Sequence, residues 1–399
     1  MIIQWRAKPE NGCERKLCIR SPSGLAYRPA TIIDNDNRSG GFSPIRRFFQ
    51  LIMKLKILFI SALALAVTCC SCDNKQGVTG TLPEASECMV RFEKDGTKEY
   101  FNVAVRDQYK DYIWYVFRIN HYLDHSAMKY MDLWRIDWAY QGEYDEATGE
   151  MENILDRILT EGESECVIKD YGQKRSDGAG YIDTDDFTGG FHGDERIDLQ
   201  DGCGVTFYID DQPLTAEELS GSFGWRPCGK FHYVQNSTMH KTALKSGEDG
   251  AAEESDHHVV AEHRKTTTFG NSGYVTENTI VMKDAIDFYW HNGICCVGTS
   301  VAELGYNEDM EIVEFDRKGG NKLSGKGHSE YTAWSNDHAI EAHVKAVVTE
   351  GADDSESYMY IWDTTYYAKY YRRWPANGAH TASDGERFSS RMTVTFATR

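Results

Sequence analysis

Proline is scarce, with 8 residues in 399, and no apolar run approaches the roughly 20 residues a membrane-spanning helix needs. Positive charge is also in deficit: 43 Lys and Arg stand against 62 Asp and Glu, a formal net charge of -19. This balance argues against a general nucleic-acid binder, whose footprint would be basic. There is no P-loop, no dinucleotide fingerprint, no GxSxG elbow and no helical HExxH, which excludes nucleotide chemistry, the usual serine hydrolases and the commonest zinc-protease design. Asp183, Asp185 and Asp186 are close together but lack the EF-hand spacing, so no metal is read from the sequence. No redox cofactor is implied.

Glycine and aromatics are abundant: 35 Gly, 23 Tyr and 9 Trp. An acidic, Gly-rich chain of this kind fits a β-sandwich whose open face stacks on flat ligands such as sugars. Residues Met53 to Cys72 read MKLKILFISALALAVTCCSC, with lysines, a short apolar stretch and then small residues and cysteines. That is the layout of a bacterial export signal. The segment is similar to a lipoprotein signal peptide, with Cys72 as the lipidated first residue of the mature chain and Cys70 as the alternative. Residues 1–52 then read as a spurious upstream extension, 53–72 as the signal and 73–85 as a polar linker. The rest, 86–399, reads as a single β-sandwich domain. Removing residues 1–71 leaves 32 basic and 58 acidic residues, a net charge of -26. The expected place is the outer membrane, held by an N-terminal lipid anchor.

Six cysteines lie beyond Cys72: Cys88, Cys166, Cys203, Cys228, Cys295 and Cys296. Export permits disulfides, but the spacings form no zinc ladder and fix no pairing. Buried free thiols would read the same way. More than a dozen stretches with period-2 alternation or β-branched and aromatic enrichment predict an all-β fold. The expected architecture is a large two-sheet antiparallel β-sandwich of jelly-roll type, with one or two short helices. The most persuasive helix is MENILDRIL, residues 151–159, and SAMKYMDLWRIDWAY is ambiguous. The acidic stretch 246–256 reads as a surface insert between strands.

Four stretches could carry chemistry. DDFTGGFHGDERIDL, residues 185–199, sets His192, Asp194 and Glu195 beside two glycines, which suits a cleft floor or a capped polar turn. In HHVVAEHRKTTTF, residues 257–269, His263 and Lys265 share one strand face and could meet a sugar acid, though a strand with one solvated face also reads so. AIDFYWHNG, residues 285–293, puts Asp287, Tyr289 and His291 on one face. TTYYAKYYRRW, residues 364–374, puts Tyr367, Lys369, Tyr371 and Arg373 on one face. Tyrosine faces stack on pyranose rings, and Lys or Arg answers carboxylates or sulfates.

The DF-x-GG-x-HGDE string, followed by TFYIDDQPL, resembles a pattern of large β-sandwich proteins among bacterial surface glycan degraders and phage tail proteins. With the signal segment, the chain looks like a Bacteroidetes surface lipoprotein similar to single-domain polysaccharide lyases. The arginine and glutamine motifs of jelly-roll alginate lyases are absent. The resemblance implies β-elimination on a uronic-acid glycan such as a glycosaminoglycan, with no cofactor. In that chemistry cations offset the uronate carboxylate, a base removes the C5 proton and an acid protonates the departing oxygen. The expected base is His192 or His263 and the expected acid Tyr289 or Tyr367. Glu195, Arg196, Lys265, His291, Lys369 and Tyr371 would bind substrate. A non-catalytic glycan-binding lipoprotein and a glycoside hydrolase are the alternatives; the oligomeric state is not legible.

Overall fold

The computed structural model describes residues 87–126, 129–160, 167–170, 189, 194–197, 202–240 and 259–399. Its strands are β1 (Cys88–Asp95), β2 (Lys98–Arg106), β3 (Ile113–Ser126), β4 (Lys129–Asp145), β5 (Glu150–Leu159), β6 (Val167–Asp170), β7 (Asp194–Arg196) and β8 (Gly204–Ile209). There follow β9 (Gln212–Pro213), β10 (Phe223–Cys228), β11 (Phe231–His240), β12 (Val259–Gly270), β13 (Gly273–Met282), β14 (Asp287–Gly298), β15 (Leu304–Asn307) and β16 (Ile312–Glu314). The last are β17 (Gly320–Lys326), β18 (Glu330–Ser335), β19 (Ile340–Glu350), β20 (Tyr358–Asp363), β21 (Tyr367–Trp374), β22 (His380–Thr381) and β23 (Arg387–Thr398).

Pairing is antiparallel except between β4 and β7, and it falls into two runs. One run is β10–β1–β2–β3–β4–β5–β14–β21–β20–β17. The other is β16–β15–β18–β19–β23–β13–β12–β11–β8–β9. The short β7 bridges them, pairing with β4 on one side and β11 on the other. The two runs face each other across aromatic contacts. Phe101 meets Phe231 at 5.3 Å, Phe117 meets Phe269 at 5.6 Å, and Trp290 meets Phe388 at 6.1 Å between ring centroids. This is the all-β, two-layer antiparallel sandwich that the alternating sequence pattern predicts.

The expected helix at 151–159 is a correction: these residues form β5. A nine-residue helix is marginal by itself, and the edge of β4 offers ladder partners instead. Arg157 takes a positive φ of 56°, which lets the adjacent Ile158 and Leu159 both reach the core. The ambiguous SAMKYMDLWRIDWAY stretch belongs largely to β4. Among the described residues the helical content is two short 3-10 turns, Glu218–Ser220 and Asp354–Glu356. His192, Asp183 to Asp186, the 246–256 stretch and Cys72 lie outside the described residues.

Gly298 and Gly293 lie where neighbouring elements approach too closely for a side chain. A Cβ on Gly298 would lie 1.6 Å from the Arg157 carbonyl oxygen, where β5 meets β14. One on Gly293 would lie 2.6 Å from the Ala346 Cβ in the opposite layer.

Among the described residues, besides a small group of Met89, Ala104, Trp114 and Val116, the interior has two apolar clusters. The larger takes in Phe101, Phe117, Phe269 and Tyr274, and the smaller takes in Met239, Ile280, Trp290 and Phe388. A belt of buried polar side chains runs between them. On β12, His263, Lys265 and Thr267 lie between Ala261 and Phe269; on β13, Thr276 and Asn278 lie between Tyr274 and Ile280. On β11, Gln235 and Ser237 lie between Tyr233 and Met239, and on β23 Ser390 lies between Phe388 and Met392.

Candidate functional site

The Asn271–Ser272 turn fixes the pairing that builds the inner belt. Both residues hold positive φ, 49° and 60°, as a two-residue hairpin requires, and Gly270 pairs with Gly273 across it. That register sets His263 opposite Ile280, Lys265 opposite Asn278 and Thr267 opposite Thr276. β7 then delivers Glu195 from the far side of β11.

The result is a chain of buried partners. His263 Nδ1 lies 2.8 Å from Glu195 Oε1, and Nε2 lies 3.0 Å from Asn278 Oδ1. Each ring nitrogen thus lies within hydrogen-bond distance of a side-chain oxygen. Ser237 Oγ donates to the same Glu195 oxygen at 2.5 Å. Burial by itself would raise the Glu195 carboxyl, but the His263 charge and hydrogen bond, with Lys265 and Ser237, outweigh it and bring it down to about 2. Lys265 Nζ donates to the Trp134 carbonyl at 2.7 Å, while the Trp134 N–H donates to Gln235 Oε1 at 2.8 Å. The belt therefore clamps one layer to the other through the backbone of β4.

His263 and Lys265 do share a face, as the alternation predicts, but it is the inner one, and each is only 3% exposed. Glu195 and Arg196 are buried as well. Lys265 answers a backbone carbonyl and Glu195 rather than solvent. His263 and Lys265 are held in the interior because their polar partners come from β4, β7, β11 and β13, while His263 also borders a pocket.

A second group forms on β14, β20 and β21. Phe288 and Trp290 turn toward Phe388 in the core, so alternation sends Tyr289 and His291 to the opposite face. On β21 that face carries Tyr367, Lys369, Tyr371 and Arg373, and on β20 it carries Tyr358, Tyr360 and Trp362. The Arg373 guanidinium sits 4.0 Å over the Tyr289 ring. The Tyr289 and His291 rings are 5.3 Å apart, and His291 and Tyr371 are 5.2 Å apart. Tyr371 stacks on Tyr360 at 4.5 Å and 17°, and Tyr360 Oη lies 3.4 Å from His291 Nε2. Lys369 Nζ is 5.1 Å from the Tyr371 ring centre. Burial, then the neighbouring Tyr371 phenol, push the Tyr360 hydroxyl up, against the pull of Arg373 and Lys369. At the end of this row Trp362 is 45% exposed, a flat platform open to a ligand.

Tyr289, His291, Lys369 and Tyr371 thus meet as one aromatic and cationic row, with Tyr367 farther along the same face of β21; Tyr289, His291 and Lys369 are themselves buried, at 7%, 2% and 6% exposure, and the row reaches solvent at Trp362. His263, Lys265, Glu195 and Arg196 do not join them. The expected base His263 and the expected acid Tyr289 therefore fall in two groups on different faces. Sequence reasoning missed Tyr358, Tyr360 and Trp362, although their period-2 spacing in SYMYIWD was the available signal. No three His, Cys, Asp or Glu side chains among the described residues gather as a metal site.

A pocket of about 350 Å³ also opens beside the β11–β12–β13 strands, and Ser237 and His263 line it together with Asn236, Arg264, Thr279 and Arg387. Its lining mixes polar and apolar groups and includes no Trp, Tyr or Phe.

No protein-family model matches the chain, and no curated protein matches it. Among solved structures it is similar to an Escherichia coli K12 protein described as a candidate aldose 1-epimerase. That likeness has 10% identity and a TM-score of 0.30, covering 70% of this chain and 100% of the other. It is also similar to a galactose mutarotase-like protein from Lactobacillus casei, with 9% identity and a TM-score of 0.28, covering 74% and 99%. Scores this low do not place the chain in either family.

Proposed function

We propose that this protein is an exported, lipid-tethered polysaccharide lyase acting on a uronic-acid glycan, and that the aromatic and cationic row on β14, β20 and β21 is its substrate site. The observation that carries this reading is the joining of Tyr289, His291, Lys369 and Tyr371 with Arg373 in a protein that is otherwise strongly acidic. An acidic protein that takes up an anionic sugar needs a local cationic patch, and the half-buried Arg373 with the buried Lys369 near it supplies one. Trp362 and the Tyr360–Tyr371 stack offer faces for pyranose rings.

In this scheme Lys369 and Arg373 offset the uronate carboxylate, making the enolate formed at C5 less costly. His291 takes the C5 proton, and Tyr289 gives a proton to the departing O4 oxygen. Of the two expected bases, His192 lies outside the described residues and both nitrogens of His263 are held by Glu195 and Asn278, so this scheme gives the role to His291. A glycoside hydrolase would need two carboxylates about 5–9.5 Å apart across the bond, whereas this row is built of Tyr, His, Lys and Arg.

The test is incubation of the protein with chondroitin, heparan, hyaluronan, alginate and pectin, following the ultraviolet absorbance of new unsaturated uronates. Turnover of one of them, lowered about 10²–10⁴-fold in His291→Ala and in Tyr289→Phe with folding retained, supports the reading. Binding without unsaturated product assigns a glycan-binding lipoprotein instead. Neither binding nor turnover on any acidic glycan overturns the proposal.

A further inference from the structure

Cys88 opens β1 and Cys228 closes β10, and the antiparallel register sets them directly opposite each other. Both side chains enter the larger core cluster, at 0% and 5% exposure, so they leave their strands on the same side. Opposed residues on antiparallel neighbours hold their Cβ atoms about 4.5–5.5 Å apart, and a disulfide needs about 3.5–4.5 Å. Closure therefore asks for only a small local shift. Cys295 and Cys296 offer no such geometry: they are sequence neighbours on one strand, opposite Tyr370 and Lys369.

We propose that Cys88 and Cys228 are a disulfide-forming pair that fastens β1 to β10 when the protein folds in an oxidising medium. The covalent step is thiol–disulfide exchange with a small disulfide such as oxidised glutathione. One cysteine thiolate attacks it, releasing one glutathione thiolate; the second then attacks the mixed disulfide and releases the other. The two protein thiols lose two protons and two electrons, and one glutathione disulfide becomes two glutathione thiols.

Timing follows from the surroundings. The hydrogen bond to Cys228, then burial, raise the Cys88 thiol, so little attacking thiolate exists in the folded core. The bond forms while β1 and β10 are pairing and before the core closes over them. Its position gives it a mechanical use: β1 is the first described strand after the 73–85 linker, so the link would secure the point where a tether pulls on the domain. Export supplies the oxidising medium in the cell, and this part rests on the exported reading above.

The experiment unfolds and reduces the full chain, refolds it with oxidised glutathione and maps its peptides without reduction. A Cys88–Cys228 linked peptide in most molecules, with reduction lowering the thermal midpoint by roughly 5 °C or more, supports the pair. Cys88→Ala and Cys228→Ala should each lose the linked peptide and the sensitivity to reductant. Should either variant fail to fold, the wild-type map still decides. Both cysteines recovered as alkylated thiols, or linked to other cysteines, would overturn the proposal. A parallel map of protein isolated from cells separates the two readings: a link made with glutathione but absent from cells keeps the pair and sinks export.

Discussion

Glu195 shows how far a residue's surroundings can move its chemistry. Its carboxyl is brought to about 2 from an ordinary 4.5 in a site where burial alone would drive it upward. A carboxyl depressed on folding stabilises the native state above its unfolded value, and the contribution disappears as pH falls through the folded value. The sensitive window is therefore about pH 4.5 down to about 2, where a contribution of about 3 kcal/mol is lost. Urea unfolding across that range should show stability falling with acid in the wild type and falling less in Glu195→Gln. At neutral pH the same variant should be less stable by about 1–3 kcal/mol, since it removes the carboxylate that holds His263 Nδ1 and the Ser237 hydroxyl in the interior. Lys369→Met belongs to the same scale: it should weaken turnover or binding of an anionic glycan about tenfold or more and reduce its salt dependence, as read from initial rates at two ionic strengths.

At the level of strands, close approach decides which positions tolerate change. Gly298 sits where any Cβ would enter the Arg157 carbonyl, so Gly298→Ala should separate β5 from β14 and cost several kcal/mol, measured by thermal unfolding. β5 itself was misread from the sequence. Ile154, Leu155, Ile158 and Leu159 have helical spacing, yet Ile154 is exposed and only Ile158 and Leu159 are fully buried. Apolar spacing describes a helix only when a surface exists to receive that face; here the available partner was the hydrogen-bonding edge of β4. The other strands were mostly legible, because alternation between a core and an opposite face repeats along β11, β12, β13, β19 and β23.

Over the whole molecule, the acidity of the chain and the signal-like segment lead to a prediction about place. Cys72→Ala should move the protein from the detergent-extracted membrane fraction to the soluble exported fraction, judged by fractionation and blotting. Retention in the membrane would remove the lipid anchor from the reading, without touching the sandwich.

Much of the candidate site was readable locally. That Tyr289 accompanies His291, and that Tyr367, Lys369, Tyr371 and Arg373 share a side, follows from the two-residue repeat of a strand, which is a covalent property of the chain. That His263 accompanies Lys265 follows in the same way. Which of these sides meets the second layer is not covalent. It depends on Glu195, 68 positions from His263, arriving through β7, and on Asn278 and Gln235 completing the polar belt. Polar side chains enter an interior only when distant partners satisfy them. Only the assembled sandwich could therefore separate the histidine of the polar belt from the equally buried one beside the aromatic row.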